Sequence, residues 1–180
     1  MSETRTLMTA KEMARTLERL ASEIIERRGE EGPLVLVGIQ RRGVDLARRL
    51  KGLLDKRLNR PVRLGMLDIN LYRDDWTRPG IAPTISSTEI PGDIEGASIV
   101  LVDDVLFSGR TTRAALEAIL DFGRPRRVEL LVLIDRGHRE LPIQADYVGK
   151  KVNTSSSEQV DVLVAERDEH DKVLLRAKPA

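Results

Sequence analysis

Cysteine is absent from this 180-residue chain, histidine occurs only twice, and aromatic residues make up 3% of it. Without thiols there is no disulfide framework, no thiolate nucleophile and no zinc-finger ligand set. His138 and His170 are too few for a histidine-based metal centre. No apolar run approaches the roughly 18 residues needed to span a bilayer. The opening stretch MSETRTLMTAKEM also lacks the apolar core of a signal peptide. These absences lead us to expect a cytoplasmic protein with no membrane partner. Charge of one sign is missing too, since 30 basic residues against 29 acidic ones leave a net charge of +1. Affinity for nucleic acid would therefore have to come from how charge is distributed. Amides are scarce, with three Asn and three Gln beside 23 Arg and 7 Lys, a balance that suits heat adaptation or a GC-rich genome.

What is present is enough for one domain, 1–180. At 41% apolar and 33% charged residues the chain is globular in composition, and its length allows about 70% of the unfolded surface to be buried. Residues 9–28 predict a helix, with Met13, Leu17, Leu20, Ala21, Ile24 and Ile25 at three- and four-residue spacings. Thr9 and Glu12 form a capping-box pattern at its start, and Gly29 ends it. A strand at 34–39, a helix through Val44, Leu46, Leu50 and Leu54, and a strand at 62–69 follow. Residues 71–97 are rich in Gly, Pro and hydroxyls, the composition of a lid or a disordered segment. Past a strand at 128–134, short strands are expected at 145–148, 160–165 and 173–175 with no helix between them. The pattern is α/β: a parallel β-α-β core with a small antiparallel cap from the C-terminus.

The most informative run is 99–112. Ile99, Val100, Leu101 and Val102 make a strand of the continuous apolar kind found in parallel sheets, and Asp103 and Asp104 stand at its C-terminal end. Val105, Leu106 and Phe107 lead to Ser108, Gly109, Arg110, Thr111 and Thr112, where a helical pattern begins. Glycine permits close backbone approach, hydroxyls donate, and a helix N-terminus offers free N–H groups to an anion. The adjacent carboxylates suit sugar hydroxyls and a divalent cation. A phosphate cradle, a ribose site and a place for a metal within ten residues point to a phosphorylated sugar.

This run resembles the 5-phosphoribosyl-1-diphosphate (PRPP) motif of the type I phosphoribosyltransferases. The resemblance implies that family's fold, a parallel sheet flanked by helices. It adds a hood of about residues 135–180 joined by the N-terminal segment, and a flexible lid of about 71–97. It implies PRPP binding by 105–112 and a pyrophosphate loop at Arg41, Arg42 and Gly43. The two arginines should point different ways, with one contacting pyrophosphate. Because Arg42 starts a helix, an unfavourable place for a cation, a ligand-binding role is expected to explain it. Asp103 and Asp104 would be catalytic together with Arg73 of the lid, Arg78 being the other basic residue there. Mg²⁺ would arrive with PRPP near Asp103 and Asp104, without a dedicated metal cluster.

The segment 135–150, DRGHRELPIQADYVGK, resembles the bacterial pyrimidine-operon attenuation regulators, a branch of the same family that also makes UMP. The stretches LVGIxxRG, DIxLYRDD and VLVDDVLxxGRT extend the match over the whole chain. What this implies is uracil, UMP or UTP, and a pyrimidine-operon mRNA leader as partners, in a homo-oligomer (dimer or tetramer). The base would sit near Asp135, Arg136 and the backbone of Val160. Lys11, Arg15 and Arg19 recur every four residues, and with Arg27, His138, Arg139, Lys150 and Lys151 they form a candidate RNA surface. Glu18, Ser22 and Gln144 depart from the pattern of that branch, which carries polar, His and basic residues there. The alternatives are a nucleotide-sensing RNA regulator without turnover, and a purine or xanthine phosphoribosyltransferase without RNA regulation. The latter would want an aromatic platform near the cap that this sequence lacks.

Overall fold

The computed structural model describes residues 4–28, 32–72 and 87–178. The elements run β1 (Arg5–Met8), α1 (Ala10–Arg28), β2 (Leu34–Ile39), α2 (Arg42–Leu58), β3 (Arg63–Leu67), β4 (Ser98–Leu106), α3 (Arg110–Leu120), β5 (Arg127–Asp135), β6 (Tyr147–Lys151), β7 (Glu158–Leu163), α4 (Ala165–Asp168) and β8 (Lys172–Ala177). A five-stranded sheet of order β3-β2-β4-β5-β6 is parallel throughout. A three-stranded antiparallel sheet of order β1-β8-β7 forms the hood.

Strand periodicity divides the core. Val100, Val102, Leu131 and Leu133 pack with α1, α2 and the hood. Ile99, Leu101, Leu130 and Val132 pack with Ala114, Ala115, Ala118 and Ile119 of α3. The central strands are therefore apolar on both faces. The capping box of α1 is formed: the Thr9 N–H donates to Glu12 Oε2 at 2.7 Å, and the Glu12 N–H donates to Thr9 Oγ1 at 3.3 Å. Gly43 is fixed by contact, since a Cβ there would lie 2.4 Å from the Val102 carbonyl oxygen. Only glycine lets α2 start this close to β4.

Three expectations change. The segment expected as a cap strand at 145–148 is β6, and it adds to the parallel sheet beside β5, Leu131 facing Tyr147. Its connection, 136–146, contains no helix. The hood takes β1 from the N-terminal side, as expected, but the one-turn α4 separates β7 from β8 where no helix is expected. Finally, part of the segment expected as a lid at 71–97 is packed structure. Met66 and Glu89 exchange two backbone hydrogen bonds of 2.8 Å, and Ile94 and Ala97 are fully buried. Residues 88–97 thus belong to the packed body, while Arg73, Arg78, the rest of 73–86 and Gly29 lie outside the described residues.

Candidate active site

The C-terminal ends of β2, β4 and β5 bring the sequence-predicted residues together at one edge of the parallel sheet, where open α/β folds place ligands. On β4, Asp103 is buried and Asp104 is half-buried. Each carboxylate turns back on the chain: Asp103 Oδ1 accepts the Asp104 N–H and Asp104 Oδ1 accepts the Val105 N–H, both at 2.9 Å. Burial, then the adjacent Asp104 charge, push the Asp103 carboxyl well above the usual carboxylate range. Asp104 is thus the more accessible of the pair.

The turn into α3 follows. Gly109 has φ +91° and is the N-cap of the helix, with no side-chain cap. A Cβ there would meet Ile143 at 3.3 Å and Leu141 at 3.6 Å, so the glycine is set by its backbone conformation and by this wall. Thr111 is exposed at the helix start, whereas Thr112 and Leu106 are buried. The Arg110 guanidinium is paired with Glu140 at 2.7 Å. The cradle is therefore made of the amides at the start of α3 with the Ser108 and Thr111 hydroxyls.

The segment after β5 buttresses that cradle. The Glu140 and Leu141 N–H groups donate to Ser108 O at 2.9 and 3.2 Å. Arg139 donates to Phe107 O at 2.8 Å and to Asp135 Oδ2 at 2.7 Å. Arg136, expected at the base, is buried; it lies 4.1 Å over the Phe107 ring and donates to Ser155 O and Glu158 O. The His138 ring nitrogen is 2.6 Å from Thr154 O. Asp135 Oδ1 accepts the Gly137 N–H at 3.0 Å. Val160 sits on β7, an edge strand of the hood, where one row of backbone groups has no partner strand among the described residues.

At the end of β2 the two arginines diverge. Arg41 is the exposed N-cap of α2 and follows a cis Gln40–Arg41 peptide; its carbonyl accepts the Val44 N–H at 3.1 Å, while its guanidinium has no hydrogen bond or ion pair among the described residues. Arg42 reaches into the hood and grips Asp168, with Nη2 2.9 Å from Oδ1. Within the protein, Asp168 is the anion that stands beside the cation at this helix start. The Asp168 contact was not foreseen, nor were Arg49 to Glu166 and Asp171, nor Arg167 to Asp45. Four acids within residues 166–171 were the available signal.

Several of the expected RNA residues carry internal bonds. Arg19 donates to Gly149 O and Arg27 to Asp146 O, tying α1 to β6 and the connection before it. Lys150 donates to Leu7 O at 2.8 Å and lines a pocket of about 330 Å3 with Arg5 and Lys151. Lys11 and Arg15 are exposed, and their side chains make no hydrogen bond among the described residues. Ser22 and Glu18 are both held by Arg57, whose Nη1 donates to Ser22 Oγ at 2.6 Å.

Comparison with known proteins follows the geometry. The family model described as "Phosphoribosyl transferase domain" matches residues 4–167. The chain is 56% identical over 170 residues to the "Bifunctional protein PyrR" of Thermus thermophilus, covering 94% of this chain and 93% of that protein. It is 55% identical over 179 residues to the protein of the same name from Streptomyces coelicolor, covering 99% and 92%. Among solved structures, hypoxanthine phosphoribosyltransferase of Trypanosoma cruzi in complex with IMP superposes with a TM-score of 0.72. That match is at 20% identity and covers 99% of this chain and 91% of the other, a likeness of fold. The chain thus belongs to the phosphoribosyltransferase family, among its PyrR members.

Proposed function

We propose that the chain transfers the phosphoribosyl group of PRPP to uracil, releasing pyrophosphate and forming UMP. We propose further that it binds a pyrimidine-operon mRNA leader in response to UMP or UTP and so attenuates transcription. The observation that carries the enzymatic reading is the juxtaposition of the Gly109 turn, the half-buried Asp104 and the unengaged Arg41 at one sheet edge. The α3 amides with the Ser108 and Thr111 hydroxyls hold the 5′-phosphate. Asp104 accepts from the ribose hydroxyls, and its charge stabilises the cationic character that C1′ acquires as the leaving group departs. Arg41 offsets the charge of pyrophosphate, while the open edge of β7 near Val160 reads the base carbonyls and N–H. A site built from such donors and acceptors discriminates strongly between bases.

No group of three or more ligating side chains that could hold a metal occurs among the described residues. That donor set suits Mg²⁺ held mainly by diphosphate, ribose hydroxyls and water, with Asp104 and Asp103 as the nearby carboxylates. Bound in this way, the ion neutralises the diphosphate. Arg73 and the lid would exclude water.

The RNA reading rests on the PyrR relatives and on the basic residues Lys11, Arg15, Arg19, Arg5, Lys150 and Lys151. Two measurements test the proposal. Pyrophosphate release is followed with uracil, cytosine, hypoxanthine and guanine in parallel, and uracil alone should support it. A purine preference would move the chain to the alternative reading. Leader RNA is then titrated with and without UMP. Tightening by UMP is expected, and by linkage the RNA should tighten UMP binding by the same factor. RNA binding indifferent to UMP would sink the regulatory half.

A further inference from the structure

We propose that Asp168 is a positioning residue for the pyrophosphate loop. It holds Arg42 against the hood, so that Arg41 is the loop cation left to meet the departing anion. The inference rests on the reading of the chain as a phosphoribosyltransferase and adds a control on how tightly it grips its inorganic product.

The geometry is a fork on a fork. Arg42 Nη2 lies 2.9 and 3.3 Å from the two Asp168 oxygens, and Nε lies 3.3 Å from Oδ2. The carboxylate is itself held in place, accepting the Val164 N–H at 2.9 Å. Two more contacts fasten the same turn to α2. Arg49 binds Asp171 at 2.7 Å and Glu166 at 2.5 Å, and Arg167 binds the buried Asp45 at 2.5 Å. These two anchor the hood whatever happens at Arg42. The Arg42–Asp168 pair is the one that reaches the loop itself.

A guanidinium in the first turn of α2 faces the positive end of the helix dipole and needs an anion beside it. Asp168 meets that need from within the protein. Without it, the nearest anion of high charge is the pyrophosphate beside Arg41, and bidentate Arg–phosphate contacts are strong. The Arg42 side chain is 35% exposed, so it is within reach of solvent and of solutes. Two arginines on the product would slow its departure, and product release limits many enzymes. Asp168 therefore keeps the grip of the loop at one guanidinium.

The test measures binding of inorganic pyrophosphate by calorimetry, its product inhibition, and kcat and KM with uracil and PRPP. Circular dichroism and thermal melts check folding. Asp168→Asn should tighten pyrophosphate about three- to tenfold, a charge-assisted contact discounted for its exposure. It should lower kcat without raising KM for PRPP, whereas mere loosening of the hood would raise KM and weaken pyrophosphate. Asp168→Glu should stay within about twofold of the wild type, and Arg42→Gln added to Asp168→Asn should abolish the gain. Asp168→Ser, which still offers an acceptor to the Val164 N–H, gives the same readout should the Asn variant not fold. A folded Asp168→Asn protein whose pyrophosphate affinity is unchanged or weaker overturns the inference, as does a gain that survives Arg42→Gln. A wild type that neither binds pyrophosphate nor forms it from uracil and PRPP overturns the functional reading, and this inference with it.

Discussion

Replacing Asp103 by Asn should make the protein more stable while changing its chemistry. The carboxyl is 8% exposed, and its hydrogen bond among the described residues is the 2.9 Å contact from the Asp104 N–H. Burial, and then the neighbouring Asp104, raise its pKa above the ordinary value. A folded pKa above the unfolded one means that the folded state binds this proton more tightly. The resulting stability is complete below the unfolded value near pH 4, and it is lost as pH rises through the raised folded value. At neutral pH the site therefore carries an uncompensated cost. Asn keeps an acceptor for the Asp104 amide and removes the charge, so the gain is about 1–3 kcal/mol at pH 7. For a chain of this length that is about 2–10 °C in Tm. Thermal melts of both proteins between pH 4.5 and 8 check the argument, and the Asn advantage should widen with pH. An Asn variant that melts lower than the wild type at pH 7, or a gap flat across the range, would refute it.

Three further outcomes follow from the site. Asp104→Asn should reduce kcat about 100-fold with a much smaller change in KM for PRPP, because the lost charge acts mainly in the transition state; steady-state kinetics show the split, and a loss confined to KM would contradict it. Gly109→Val should cost about 1–3 kcal/mol for its left-handed backbone and crowd Ile143, abolishing binding of both PRPP and UMP. UMP calorimetry tests this, and wild-type affinity would show that the cradle is misplaced. Arg139→Ala should lower uracil-dependent turnover at least tenfold, since its guanidinium holds Phe107 O and the Asp135 carboxylate. A variant with normal turnover that fails to shift leader RNA in a gel would return Arg139 to the RNA surface.

Local pattern made the centre of the site readable. The run from Ile99 to Thr112 carries its own strand, loop and helix start, and the Thr9–Glu12 cap needs only three residues of context. What escaped depends on partners far along the chain. The dipole argument takes the Arg42 position as a sign of a ligand; within the protein the anion beside it is Asp168, 126 residues away, and nothing local distinguishes such a partner from a phosphate. Residues 145–148 were legible as a strand and not as a member of the parallel sheet. Parallel neighbours are normally joined by a helix, and here an irregular segment makes the crossing. The strand Arg5–Met8 has too few residues for a period to show. Arg19 and Arg27 read as part of a candidate RNA surface, and their carbonyl partners on β6 and just before it, more than a hundred residues away, could not be seen locally.

The hood has a consequence for biosynthesis. Its middle strand, β8, is flanked by β7 and by β1, so the first strand to leave the ribosome waits for nearly the last. The first four strands of the parallel sheet, with α2 and α3, are made once Asp135 has emerged, whereas the buttress through Leu141, then α4 and β8, come later. Until then Arg5–Met8 is an orphan edge and Arg42 has no Asp168. A nascent chain stalled in that interval would carry the parallel sheet and the α3 turn without the hood, so the body of the fold is made before the sheet that Arg42 reaches into.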